Sequence, residues 1–223
     1  GVDRLVVTAE DTATAGRTTV VGFQLDNIEE LEIRAYEAGG ANGVRLGLQN
    51  VSGLEKVIST NSTADIVLTD VKNLVELNLK SSGTDAIDFS VNYEPDAVAG
   101  DADEQVVVLN GFKGDELALG VSIGHAPPGG IEALAIETTG RASGIDAVVS
   151  TDLESLTVTG DEDLSIRTVL LGEDGGLESV EAFVDGNAAL TLGDGDGENK
   201  DERGVELAAG ATVTTGGGGG RLW

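Results

Sequence analysis

Ile131-Glu132-Ala133-Leu134-Ala135-Ile136 and Leu153-Glu154-Ser155-Leu156-Thr157-Val158 are two copies of one phrase, apolar-Glu-x-apolar-x-apolar, and its recurrence decides the fold. The same phrase reads as Ile28-Glu29-Glu30-Leu31-Glu32-Ile33, Leu54-Glu55-Lys56-Val57-Ile58, Leu74-Val75-Glu76-Leu77-Asn78-Leu79 and Leu177-Glu178-Ser179-Val180-Glu181-Ala182. It returns about every twenty to twenty-six residues, a period at which each repeat is one supersecondary unit that buries its apolar face only against its neighbours. Within each phrase the apolar residues lie two apart and so share one face of a strand, as Leu77 and Leu79 do.

A second short alternating run follows each phrase after a polar or glycine-containing turn. These runs are Gly43-Val44-Arg45-Leu46-Gly47-Leu48, Asp65-Ile66-Val67-Leu68, Ala86-Ile87-Asp88-Phe89, Ile145-Asp146-Ala147-Val148, Leu164-Ser165-Ile166 and Ala189-Leu190-Thr191-Leu192. At least two strands per repeat, turns rich in Asn, Asp, Gly and Ser, and no sustained 3.6-residue apolar period predict an all-β parallel β-solenoid (β-helix) of about seven to eight coils. Right-handed coiling is the default for parallel crossovers. Stacked at about 4.8 Å, such coils form a rod roughly 35 to 40 Å long.

Leu5-Val6-Val7-Thr8 and Thr18-Thr19-Val20-Val21 read as the opening coil. The solenoid domain is expected over 1–215, interrupted by an acidic loop insertion at 92–105 and a second insertion at 120–130 that holds His125, Pro127 and Pro128. Residues 216–223 read as a flexible Gly-rich tail or linker.

Composition narrows the function. Forty acidic residues against thirteen basic give a net charge of −27, which repels phosphate backbones and anionic lipid and excludes nucleic acid as a partner. Only 3% of the residues are aromatic and 33 are glycine, which suits a narrow stacked core of small branched side chains. No run of eighteen apolar residues offers a direct membrane insertion. The start lacks a signal-peptide pattern and a Met, so a processed product or a piece of a longer protein is expected. With no cysteine and one histidine, thiolate and multi-histidine metal sites within one chain are impossible. His125 beside Pro-Pro reads as a loop residue, and no Gly-x-Ser-x-Gly turn presents a nucleophile to it. No catalytic residues are assigned, and the chain is read as non-enzymatic.

So many carboxylates need screening by salt or bound cations; calcium is the first candidate, and adaptation to high salt is a second reading of the acidity. Alternating Asp and Gly in Leu192-Gly193-Asp194-Gly195-Asp196-Gly197-Glu198-Asn199-Lys200-Asp201-Glu202 supplies oxygen ligands and tight turns, so Asp194, Asp196, Glu198, Asn199 and Asp201 are the leading metal candidates. This stretch is not an EF-hand, because Val205 occupies the twelfth position where a bidentate Glu belongs. Asp96, Asp101, Asp103 and Glu104 in the acidic loop form a second candidate group, and Asp161 with Asp163 a third. The recurrent Glu at 29, 55, 132, 154 and 178 reads either as a ladder for cations or as outward charge that keeps the strands soluble, and the second reading is preferred.

The Leu-x-x-Leu-x-Val strand, Gly/Asn/Asp turn and second short strand resemble the β-rich repeats of bacterial surface-layer proteins and of type I-secreted, calcium-binding adhesins. Val107-Val108-Leu109-Asn110-Gly111-Phe112-Lys113-Gly114-Asp115-Glu116-Leu117-Ala118-Leu119 is similar to the phrase that accompanies their calcium-binding repeats. The likeness covers about residues 20 to 205 and departs from the pattern in lacking a tandem Gly-Gly-x-Gly-x-Asp array. It implies a secreted, extracellular building block of the bacterial cell surface that self-associates into an array with calcium as structural cofactor, and cell-surface polysaccharide as a further candidate partner. Two alternatives stay open: an adhesin stalk or ligand-binding module, and a carbohydrate-active β-helix enzyme with paired acids for lyase, hydrolase or epimerase chemistry. Few aromatics and few Lys or Arg argue against the enzyme.

Overall fold

A computed structural model describes residues 1–12, 19–22, 24–38, 43–81, 86–121, 130–150, 152–170, 177–184, 190–192, 207–216 and 221–222. The chain is a two-sheet parallel β-solenoid. Odd-numbered strands form one nine-stranded sheet, here sheet A, and even-numbered strands the other, sheet B. Sheet A runs β1 (Arg4–Asp11), β3 (Glu30–Glu37), β5 (Lys56–Thr60), β7 (Glu76–Lys80), β9 (Glu104–Asn110), β11 (Ala133–Thr138), β13 (Ser155–Gly160), β15 (Leu177–Val184) and β17 (Leu207–Gly216). Sheet B runs β2 (Thr19–Gly22), β4 (Val44–Gly47), β6 (Ile66–Val71), β8 (Ile87–Tyr93), β10 (Lys113–Val121), β12 (Ser143–Val149), β14 (Leu164–Leu170), β16 (Leu190–Leu192) and β18 (Arg221–Leu222).

Each sheet has nine levels where the Glu phrases predict seven or eight coils. The additional levels come from β9 with β10, whose leading residues depart from the phrase, and from β17 with β18. Of the stretch 216–223 expected as a tail, Gly216 closes β17 and Arg221–Leu222 pairs with β16. The second member of each expected strand pair lies in sheet B, so the repeat unit is one strand in each sheet.

Parallel pairing stacks like positions, and the core is made of columns. In sheet A, Leu31, Val57, Leu77, Val107, Ile136 and Val158 stand one above another, and all are buried. In sheet B the equivalent column is Ile66, Phe89, Leu117, Val148 and Val169. The columns face each other across a narrow interior closed by Leu54, Ile131 and Leu153 from the turns. Alternate residues on the outer side are mostly polar, with Val6 and Val106 as apolar exceptions, which is the period-two pattern of strands with one face buried.

The register is not uniform. Leu77 stacks on Val107 and Ile136, two residues beyond the Leu134 that an alignment of the phrases selects. Gln105 therefore occupies an inward position, paired with Leu134, and is fully buried. The insertion before β9 is the cause: β8 ends at Tyr93, a 3-10 turn covers Pro95–Val98, and the chain re-enters sheet A at Glu104.

Candidate functional site

Glu29, Glu55, Glu132 and Glu154 sit at the corner where each coil enters sheet A, while Glu178 is the second residue of β15, and at those corners the backbone itself forms a ladder. Glu29 N–H donates to the Asp3 carbonyl, and Glu55 N–H to the Glu29 carbonyl. Further up, Glu132 N–H donates to the Asp103 carbonyl, and Glu154 N–H to the Glu132 carbonyl. The side chains at the foot of each ladder reach back one coil. Glu29 Oε2 accepts the Asp3 N–H at 2.6 Å, and Glu132 Oε2 accepts the Asp103 N–H at 2.7 Å. A carboxylate accepting a backbone N–H makes a charge-assisted bond of the stronger kind. These two glutamates are corner braces, a role beside both the cation ladder and the solubilising charge that the sequence suggests.

The acidic loop is organised by backbone bonds. Asp103 Oδ2 accepts the Gly100 N–H at 2.8 Å, closing the turn, while Asp96 lies exposed on the 3-10 turn and Asp101 is exposed at the loop tip. Glu104 starts β9 and points outward. Asp161 and Asp163 flank the turn from β13 to β14, where Asp161 N–H donates to the Thr138 carbonyl and the Asp163 carbonyl accepts from Ser143. Asp194, Asp196, Glu198, Asn199 and Asp201 lie outside the described residues, as does His125. Among the described residues, no group of three or more His, Cys, Asp or Glu converges on a metal position.

Sequence reasoning missed an acidic neighbourhood among the described residues, on the outer face of sheet B. Asp65 Oδ1 accepts the Asp88 N–H at 2.9 Å, and Asp88 stands directly beside Glu116 in the register of β8 and β10. A register shift between Gly114 and Glu116 inserts Asp115 next to them. Partial burial raises the Asp88 carboxyl above the usual carboxylate range, and Asp65, Glu116 and Asp115 push it further, against a backbone hydrogen bond at Glu116 that lowers it. The three stretches that bear these acids are more than twenty residues apart, so only the pairing register brings them together. The bulge has a local cause in Lys113-Gly114-Asp115-Glu116, where two consecutive charged residues cannot alternate across a strand.

Inside the solenoid, the buried polar groups are bonded coil to coil. Tyr93 Oη donates to Gln105 Oε1, and Gln105 Nε2 donates to the Val75 carbonyl at 2.9 Å and the Val106 carbonyl at 2.8 Å. Burial pushes the Tyr93 phenol above its ordinary value, with a backbone hydrogen bond at Val75 pulling the other way, so it stays a neutral donor. Ser59 and Ser62 share a hydrogen bond at 3.0 Å, and Ser62 Oγ accepts the Ala35 N–H of the coil beside it. Thr138 Oγ1 donates to the Glu162 carbonyl at 2.7 Å, tying β11 to the turn after β13.

No protein-family model, no curated protein and no solved structure matches this chain.

Proposed function

We propose that the chain is a non-catalytic structural module of a bacterial surface layer, an extracellular β-solenoid that self-associates and is stabilised by calcium. The observation that carries this reading is the use made of its polar residues. Glu29, Glu132, Gln105, Ser62 and Thr138 each hold one coil against another, and each thereby serves the continuity of the stack. A rod braced in this way transmits load along its axis and presents long faces for lateral or axial contact, which is what an array subunit requires.

Calcium enters through charge. A chain of net charge −27 carries a self-repulsion that counter-cations relieve, and the elevated Asp88 carboxyl marks one place where that repulsion is felt. Divalent cations that bind the folded array and not the loose chain add stability by mass action.

Small-angle scattering at constant ionic strength tests the reading, with calcium titrated against magnesium. Calcium is expected to produce larger assemblies from rods where magnesium does not. A monomeric rod unchanged between chelator and millimolar calcium would refute it.

A further inference from the structure

Two insertions interrupt the repeat, at 92–105 and 120–130, and both return to sheet A at the same corner one level apart, where Asp103 precedes β9 and Gly130 precedes β11. One side chain holds both returns. Glu132 Oε2 accepts the Asp103 N–H at 2.7 Å, and Glu132 Oε1 accepts the Gly130 N–H at 3.2 Å. The bonding with Asp103 is reciprocal, since the Asp103 carbonyl accepts the Glu132 and Ala133 N–H groups at 3.2 and 3.1 Å. Gly130 is buried, and a Cβ there would collide with the Asp152 carboxylate, so its place in the corner is tightly set.

The acidic insertion is anchored differently at its two ends. Near β8, Glu94 N–H donates to the Val71 carbonyl at 2.7 Å, and Val98 is fully buried. Beyond Val98, however, Ala99, Gly100, Asp101 and Ala102 are all exposed. Asp103 Oδ2 closes that turn by accepting the Gly100 N–H, and Glu132 in turn holds Asp103. A segment with little buried apolar surface that is held by hydrogen bonds belongs to the part of a protein that opens most readily. Two carboxylates in series, Asp103 and Glu132, thus secure the end of this loop.

We infer that Glu132 is a clasp that couples the two insertions, so that the acidic loop over 99–103 and the chain at Gly130 open and close as one unit. The cause is that a single planar carboxylate serves donors from both loops. When the Asp103 N–H swings away, Glu132 keeps only its bond to Gly130, and its side chain gains freedom to turn into water. Loss of the first bond therefore weakens the second. The converse follows by reciprocity, and whatever closes one loop orders the return of the other. This device concerns local opening, goes beyond the structural role proposed above, and stands whether or not copies of the chain assemble.

Amide hydrogen exchange on the 223-residue chain tests the clasp. Asp103→Ala removes the acceptor that closes the acidic turn, in the insertion to which Gly130 does not belong. It is expected to speed exchange of the Gly130 amide roughly fivefold, and to have no further effect on that amide in a Glu132→Ala background. A Gly130 amide indifferent to Asp103→Ala, or equally affected with and without Glu132, overturns the coupling. Amides of β5, two levels away from β9, must keep their protection, which shows that each variant is folded. The wild type supplies a readout that needs no substitution. Across low denaturant concentrations the amides of Asp103 and Gly130 must share one opening free energy and one slope, both below those of β5. Separate slopes for the two amides overturn the inference.

Discussion

The two sheets share one architecture, and one region of each handles charge in opposite ways, although sheet B also pairs Arg167 with Asp146 at 3.7 Å. On the outer face of sheet A a single column runs Arg4, Glu30, Lys56, Glu76, alternating sign at every level. Arg4 Nε lies 3.5 Å from Glu30, and Lys56 Nζ lies 3.0 Å from Glu76. In the next column Glu32, only 8% exposed, is held between Arg4 at 3.0 Å and Arg34 at 2.9 Å. On sheet B, Asp88 has Asp65 and Glu116 for neighbours and Asp115 close by. Parallel in-register stacking repeats a position every level, so the same geometry rewards alternation and penalises repetition. What differs between the sheets is which residues fall in a column.

The largest effect comes from breaking the joint that both sheets share. Gly160 ends β13 with φ +121°, and a Cβ there would lie 2.1 Å from the Thr138 carbonyl oxygen. Gly160→Ala forces the turn from sheet A to sheet B apart, and chemical denaturation should register a loss of about 3 kcal/mol. Tyr93→Phe comes next. It leaves buried Gln105 Oε1 without the donor that bonds it, which is expected to cost about 1 to 2 kcal/mol without changing the rod seen by scattering.

A smaller and more pointed test converts sheet A to the condition of sheet B. Lys56→Glu places three glutamates in one column, and thermal unfolding should show a loss of roughly 1 kcal/mol that added salt reduces. An equal loss in low and high salt would mean that packing of the lysine stem, not its charge, mattered.

The reverse experiment relieves sheet B. Because the Asp88 carboxyl is raised in the folded chain, the fold binds more protons than the unfolded chain between the ordinary value of 3.8 and the raised one. Stability attributable to Asp88 therefore falls as pH rises through that window, and the penalty is fully present above it. Asp88→Asn is expected to add about 0.5 kcal/mol at neutral pH and nothing below the ordinary carboxylate value. Denaturation curves at both pH values check the sign, and stabilisation that persists in acid would assign the gain to something other than charge.

Much of this architecture was legible in the phrase repeat. Leu31, Leu77 and Val158 announce an inward face by their spacing, and the short runs after each turn proved to be sheet B. The level formed by β9 and β10 was harder to read, because Gln105 stands where an apolar residue belongs. Its polarity is tolerated only because Tyr93 and the Val75 carbonyl lie within reach, and neither is a neighbour in sequence. The acidic loop was recognised as an insertion, but the role of Asp103 as a turn brace, and of Glu132 above it, depended on which backbone N–H groups the stack left unpaired.

The sequence by itself determined that the chain alternates strands and turns, that its core is built of small branched residues, and that its surface is strongly acidic. Composition and a period of two suffice for those conclusions, since each depends on residues near one another along the chain. Which charges meet was decided by the tertiary structure alone. Register is a property of pairs of coils, and the insertion before β9 and the bulge at Asp115 shift it by amounts that no single repeat encodes. The alternating column of Arg4, Glu30, Lys56 and Glu76 and the crowded acids around Asp88 are both products of that register, because stacking brings together residues that lie a whole coil apart along the chain.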